Sequence, residues 1–421
     1  ALMIPPPPDL KAAFPQGFTP GMGFGLNCAL VQSDGAMVLH TLTGRGPVLG
    51  GPAVPGAGGA EPSEVFVLPG FNPAIVTLKL AGGKAETLGM IPLRGEDGQP
   101  ASGLPPTPGP KTPQARPLSL ALTPLAASGT GIDPQGVAYD AKRNAYWIAD
   151  GYRPALMRVQ PRDGRVLSVL APGEGLEDYL ATRRVGYGLS GASVSPGGKV
   201  YSIMRGPLAV NGVPGIFSRI LEYDPDTERL RQLPYPIEEA VFADVGAVET
   251  CEPVAIADKK VLVLEQGRDK QGKARSLVFL ADLGQADNIN RVYNDKNEPP
   301  EVVTDPALWR RQNLRMAKKT LVLDLHQAGF TSARAESMTL LSDGRTLAVM
   351  SGHGFGLEAQ LAGYAAGPDG KPVLDPAAYT LGPDGKLSLN GQTTSARLGV
   401  RPSREAPMLW LVTLPRKAGE Y

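Results

Sequence analysis

Short apolar runs, each opened by a polar residue and followed by a turn and a second apolar run that ends at a glycine, recur five times along the chain. Asn27-Cys28-Ala29-Leu30-Val31 leads to Thr43-Gly44-Arg45-Gly46, and Gln135-Gly136-Val137-Ala138-Tyr139 leads to Asp150-Gly151-Tyr152-Arg153. Ser190-Gly191-Ala192-Ser193-Val194 leads to Arg205-Gly206-Pro207, Glu252-Pro253-Val254-Ala255-Ile256 to Gln266-Gly267-Arg268, and Glu336-Ser337-Met338-Thr339-Leu340 to Gly352-His353-Gly354. Opener and closing glycine lie 15 to 17 residues apart in every copy. Turn chemistry such as Ser33-Asp34-Gly35 or Ser342-Asp343-Gly344-Arg345 between the two runs predicts a β-hairpin each time.

Further strand-like runs follow the hairpins, for example Ala155-Leu156-Met157-Arg158-Val159 and then Val166-Leu167-Ser168-Val169-Leu170. Four strands per repeat is the make-up of a propeller blade. The fold class read from this pattern is an all-β propeller of six blades, with seven as the alternative count. The sixth blade would come from Ala378-Tyr379-Thr380-Leu381, Lys386-Leu387-Ser388-Leu389 and Met408-Leu409-Trp410-Leu411-Val412-Thr413-Leu414. An unclosed array of sandwiched hairpins is the competing arrangement, but such an array leaves sheet edges exposed. Openers recur at intervals of 108, 55, 62 and 84 residues, longer than a compact blade, so loops are inserted around residues 98–117, 287–319 and 356–384. Within the second of these, Asp305-Pro306 has the cap chemistry of a short helix running through Leu308 and Leu314. The division is a Pro-rich segment over residues 1–19, one propeller over 20–416 and a tail over 417–421.

Composition agrees with a turn-rich β protein: 52 Gly and 42 Pro sit beside an ordinary 42% of hydrophobic residues. A net charge of +1 supplies no general attraction to nucleic acid or to an anionic membrane surface. No apolar stretch has the length of a spanning helix, and the start at Ala1 reads as processed or trimmed. Cys28 and Cys251 permit one disulfide or two free thiols. Each flanks an opener in the first or fourth repeat, on opposite sides of a six-bladed ring and beyond the ~7 Å reach of a disulfide, so two free thiols are expected. His40, His326 and His353 are too scattered to suggest a zinc site.

In a closed propeller the openers Asn27, Gln135, Ser190, Glu252 and Glu336 would form one ring at the channel. The closing turns would form a second ring, with Arg45, Asp150, Arg153, Arg205, Glu265, Arg268 and His353. Arg45, Arg153, Arg205 and Arg268 would suit an anionic or phosphorylated small ligand, since guanidinium forks match phosphate and carboxylate oxygens. Asp133, Asp150, Glu252, Glu265 and Glu336 are oxygen ligands of the kind that hold calcium, and such a cation beside an anion clamp can polarise a phosphoryl oxygen and activate water. Glu336, Glu265 and His353 are the candidate catalytic groups. The bland alternative is that these charges simply pair with one another. Gly188-Leu189-Ser190-Gly191-Ala192 lacks the second glycine of a nucleophile elbow, and Asn294-Asp295-Lys296-Asn297-Glu298 lacks the glycine and terminal glutamate of an EF-hand loop.

Four passages resemble the family known as esterase-like activity of phytase. They are Asp133-Pro134-Gln135-Gly136-Val137-Ala138 with Trp147-Ile148-Ala149-Asp150, Gly191-Ala192-Ser193-Val194-Ser195-Pro196 with Tyr201, Val261-Leu262-Val263-Leu264-Glu265-Gln266-Gly267, and the run from Glu336 to Leu347. The resemblance spans roughly residues 20 to 355 and implies an exported, phytase-like propeller, periplasmic, secreted or held at the cell envelope, that hydrolyses phosphoric esters with calcium. Gln135, Ser190 and Gly352-His353-Gly354 stand where that family usually carries acidic residues. These departures favour a second reading, a non-catalytic binding or assembly module with an envelope protein as partner.

Overall fold

A computed structural model describes residues 3–56, 58–109, 113–312, 314–352 and 354–421. Its architecture is all-β, and its one α-helix among the described residues, Pro306–Trp309, is a single turn. That helix forms where the sequence places it, with the Asp305 carboxylate accepting the Ala307 N–H at 2.7 Å. It passes into the 3-10 turn Arg310–Gln312 instead of continuing through Leu314.

Five antiparallel sheets follow one another along the chain. The first contains Phe24–Val31, Met37–Leu42, Ala74–Ala81 and Lys84–Pro92, and the second Pro134–Asp140, Ala145–Asp150, Ala155–Val159 and Val166–Pro172, with the short Gly175–Leu176 added in parallel. The third contains Leu189–Val194, Val200–Met204, Phe217–Asp224 and Arg229–Pro236. Glu249–Ala257, Lys260–Arg268, Ala274–Asp282 and Lys318–Asp324 build the fourth. The fifth has only three strands, Ala335–Leu340, Thr346–Ser351 and Leu409–Thr413. Every sheet opens with one of the five hairpins expected from the sequence.

Each leading strand packs against the leading strand of the next sheet, and that of the fifth packs against that of the first. Five apolar cores fill the spaces between neighbouring sheets. Leu42, Ile75, Val137 and Ile148 join the first to the second, and Trp147, Leu156, Leu189 and Met204 the second to the third. Ile203, Ile220, Val261 and Val263 join the third to the fourth, Leu262, Val278, Met338 and Val349 the fourth to the fifth, and Leu26, Leu39, Ala348 and Met350 the fifth back to the first. Strands buried on both faces explain why Ala145–Asp150 and Val200–Met204 carry no alternation of polar and apolar residues. Both cysteines are free, and they lie in different cores: Cys28 beside the one between sheets five and one, Cys251 within the one between sheets four and five.

The expected sixth blade is replaced by two other arrangements. Leu409–Thr413 pairs with Thr346–Ser351 and so completes the fifth sheet after a long excursion. Thr380–Leu381 and Leu387–Leu389 pair in a small separate sheet with Gln392–Thr393. That small sheet belongs to a second apolar unit, where Leu49, Val65, Leu118, Leu357, Tyr379 and Leu387 pack together. The Pro-rich start joins this unit through Phe14 and Phe18, with Ile4 and Phe18 exchanging backbone hydrogen bonds at 2.9 and 2.8 Å. A further excursion, residues 284–317, is fastened to the third sheet by the fully buried Arg219, whose guanidinium donates to Glu301 at 2.6 and 2.8 Å and to Glu177 at 2.7 Å.

At the axis the leading strands meet backbone to backbone. A Cβ on Gly136 would stand 2.2 Å from Gly191 Cα, and one on Gly25 would stand 2.5 Å from Val137 N. No side chain fits at either point. Gly136→Ala is therefore expected to lower unfolding stability by at least about 2 kcal/mol, whereas Gly89→Ala, with nothing within 4 Å of its added carbon, should change it by under about 1 kcal/mol. Denaturant melts of the two variants check this, and equal midpoints would contradict the close approach.

Candidate functional site

All five leading strands shift register near their start: between Phe24 and Leu26, Pro134 and Gly136, Ser190 and Ala192, Cys251 and Val254, and Ala335 and Ser337. The residues left out of the ladder are Gly25, Gln135, Gly191, Glu252 with Pro253, and Glu336. A bulge of this kind bends the strand and re-aims the unpaired side chain. Gln135, Glu252 and Glu336 are thus equivalent, as the repeat implies. Asn27 and Ser190 are not: they sit in the ladder opposite His40 and Ile203, and glycines hold the matching bulge positions. An apolar run marks where a strand begins but not where a bulge displaces its first residues.

A continuous chain of charged and amide groups crosses the mouth formed by these strand starts. Arg45 donates twice to Glu64, at 2.6 and 2.7 Å, and its Nε lies 3.8 Å from Asp133. The Gln135 amide donates to Asp133 at 2.8 Å and accepts from Arg205 at 3.4 Å. Arg205 also reaches Glu249 at 3.4 Å, and Arg334 meets the same Glu249 oxygen at 2.7 Å. Arg334 Nε then stands 3.0 Å from Glu336, out of line for a hydrogen bond. The Tyr187 ring lies beneath this group, with Arg184 over its face at 3.7 Å and Arg205 at 6.0 Å. Burial works against the Arg205 charge, but Glu249 and Glu336 outweigh it and hold the group above its usual pKa.

Glu336 ends the chain at a cleft of about 650 Å³ lined by Phe24, Arg334, Gly352, Arg401 and Arg404. Its side chain is 15% exposed. Burial raises its pKa and nearby Asp133 acts in the same direction, against a lowering effect of Arg205. A Cβ on Gly352 would lie 2.4 Å from Glu336 Cγ, and one on Gly151 would lie 2.8 Å from Asp133 Oδ2. In these two repeats the closing glycine is a space that a site side chain occupies. His353 lies outside the described residues.

Other expected members lie elsewhere. Glu265 is sealed between the third and fourth sheets, accepting from Lys319 Nζ and Tyr235 Oη at 2.6 Å each and from the Glu238 N–H at 3.0 Å. It faces the neighbouring sheet, because alternation along Lys260–Arg268 turns it away from the mouth. Arg268 is exposed and donates to Gly272 O of its own hairpin at 2.8 Å, so it does not join Arg45 and Arg205. Arg153 is half-buried, without a side-chain hydrogen bond among the described residues, and near enough to Asp150 to lower the latter's pKa. Asp150 accepts the Asp133 and Tyr152 N–H groups at 2.9 Å each, and burial pushes its carboxyl up to about 7.

Glu64, Glu249, Arg334, Arg184 and Tyr187 belong to the mouth without having been expected there. One signal was available: Asp133 and Arg334 each stand two residues before a bulge, and Glu249 stands three before.

Residues 70–352 match the model of the phytase-like family described as esterase-like activity of phytase. The chain belongs to this family. No curated protein sequence matches it at a significant level. Among solved structures it is similar to a putative 6-phosphogluconolactonase from Bacteroides uniformis, at 11% identity over 92% of this chain and 88% of the other, TM-score 0.32. The periplasmic gluconolactonase PpgL of Pseudomonas aeruginosa is 13% identical over 91% and 87%, TM-score 0.32, and the α-L-arabinofuranosidase PaAbf62A of Podospora anserina 10% identical over 99% and 96%, TM-score 0.36. At these scores none of the three contributes to the reading of the site.

The carboxylates expected from the repeat to bind calcium do not gather at one point of this phytase-like chain. Among the described residues no group of three or more His, Cys, Asp or Glu side chains is placed to hold a metal ion. Glu265 is engaged by Lys319, Asp133 by Gln135 and Arg45, Asp150 by two backbone N–H groups, and Glu336 stands beside Arg334. Glu252 is buried with a left-handed backbone at φ 46° and one carboxyl oxygen without a partner. No helix is long and apolar enough to cross a membrane.

Burial holds the Glu252 carboxyl well above its ordinary pKa, against the smaller effect of the Leu26 N–H. A carboxyl raised in the folded state contributes stability that is complete below its unfolded pKa and is lost as pH climbs toward the folded value. Glu252→Gln removes that loss. The variant is expected to melt about 3 °C or more above the parent near pH 7.5, with the two curves converging near pH 4. Calorimetry across that range checks it, and a constant offset at every pH would contradict a neutral buried acid.

Proposed function

We propose that this phytase-like chain is a five-bladed β-propeller hydrolase that takes a small phosphoric ester at the mouth of its ring. Five successive sheets with leading strands in mutual contact support the blade count. One observation carries the ligand class. Arg205 and Arg334 meet at the single carboxylate of Glu249, with Arg184 stacked on the neighbouring Tyr187 ring, and Arg184 Nε and Nη2, Arg205 Nε and Arg334 Nε are all buried without a hydrogen-bond partner. Buried guanidinium N–H groups left unpaired are costly. The forked, charge-assisted pairing that satisfies them is the kind a phosphoryl group offers.

In this reading the arginines hold the phosphoryl oxygens and stabilise the charge that develops on them. Water attacks phosphorus and the ester P–O bond breaks. Glu336, whose pKa burial raises, is the group that donates a proton to the leaving oxygen; one proton of the attacking water restores it and the other leaves with inorganic phosphate. No step passes through calcium, since the carboxylates expected to bind it are otherwise engaged. Location outside the cytoplasm is part of the same proposal and rests on the family resemblance alone; fractionation of the source cells tests it.

A second reading, binding of an oxyanion without turnover, is favoured by the same engagement of the carboxylates, which leaves Glu336 as the acid where the charged chain meets a cleft that Glu358 and Glu405 also line. Turnover of a generic phosphomonoester separates the two. The hydrolase reading expects Arg205→Ala and Arg334→Ala to lower kcat/KM at least about tenfold, and Glu336→Gln to lower kcat with little change in KM. EDTA or added calcium should leave the rate within about twofold. Phosphate binding without turnover would support the second reading, and absence of both would contradict each.

A further inference from the structure

The fifth sheet stops one strand short of the other four, and its outer strand, Leu409–Thr413, is an open edge. Edge strands with unpaired backbone groups are templates for another chain, and proteins usually blunt them with charge, proline or a cover. This edge carries none of those. It reads Leu-Trp-Leu-Val-Thr, with Leu411 53% and Met408 48% exposed.

The hydrogen-bond pattern identifies which backbone groups point outward. Thr346 stands opposite Thr413 and Met350 opposite Leu409, while Ser351 N–H donates to Met408 O and Leu414 N–H to Arg345 O. In an antiparallel pair, hydrogen-bonded positions alternate. Residues 408, 410, 412 and 414 therefore bond inward, and 409, 411 and 413 direct their N–H and C=O groups away from the sheet. Among the described residues none of those outward groups has a hydrogen-bond partner.

The sequence around this edge is balanced about Leu411. Pro407 and Pro415 stand four residues to either side. If a second identical edge approaches antiparallel with a two-fold axis at Leu411, Leu409 faces Thr413 of the other copy and Leu411 faces its twin. Every outward backbone group is then paired. The prolines bound the shared ladder at both ends. A register shifted by two residues loses paired groups at one end.

We propose that two copies of this chain associate through residues 408–414, pairing edge to edge about a two-fold axis at Leu411 to form one continuous sheet of six strands. Such a contact is isologous and closed, so it ends at a dimer. It uses main-chain hydrogen bonds for affinity, in the manner of strand addition, and Pro407 and Pro415 bound the register.

Sedimentation equilibrium over a range of protein concentrations tests this on the full chain. The parent is expected to approach twice the chain mass. Leu411→Lys puts two like charges face to face on the axis and should give a monomer with an unchanged melting curve, because the side chain it replaces is exposed. A parent that stays monomeric at every concentration, or a dimer indifferent to Leu411→Lys, overturns the proposal.

Discussion

The close approach of the leading strands at the axis is the constraint on which the rest depends. Gly25, Gly136 and Gly191 let backbone meet backbone where any Cβ would collide. With the strands drawn in that tightly, their first residues cannot all stay in the ladder, and each strand bulges at the same point. The bulges put Gln135 and Glu336 at the mouth and bury Glu252. Outward from the axis the same geometry leaves gaps between sheets that only apolar side chains fill, which accounts for five separate cores.

At the mouth, charge takes over from packing. Arg45, Asp133, Gln135, Arg205, Glu249, Arg334 and Glu336 form one linked chain in which partners are shared. The contrast with Arg219 is informative. Buried in the third sheet, Arg219 is satisfied by Glu301, Glu177 and Gln232 at 2.6 to 2.8 Å and serves to hold an excursion in place. Arg205 has two partners at 3.4 Å and an unpaired Nε. The looser one is where the proposed anion would supply the missing acceptors.

The hairpin repeat was legible in the sequence because its spacing is imposed by sterics: a closing glycine makes room for Glu336 in one repeat and Asp133 in another. Arg45, Arg205, Gln135 and Glu336 were found for the same reason. Glu249, Arg334 and Tyr187 were not, because Arg334 and Tyr187 precede their strands and Glu249 is the first residue of its own, where no periodicity marks them. Glu265 and Arg268 were placed at the mouth by treating strand ends as equivalent, whereas alternation sends one between sheets and the other to the surface. The segments expected to form a sixth blade were misread through connectivity. The chain leaves the fifth sheet at Ser351, builds part of the apolar unit around Tyr379 and Leu387, and returns only at Leu409, so its final strand looks from the sequence like the start of something new.

The central claim is that the arginines at the mouth are short of hydrogen-bond acceptors in the resting protein. An experimental structure determined with inorganic phosphate measures this most directly. The account predicts phosphate oxygens within hydrogen-bonding distance of Arg334 and of Arg184 or Arg205, with the Tyr187 ring beneath the guanidinium groups. An unchanged Arg205–Glu249–Arg334 arrangement with no anion beside it, at phosphate concentrations that saturate ordinary arginine clamps, would contradict it.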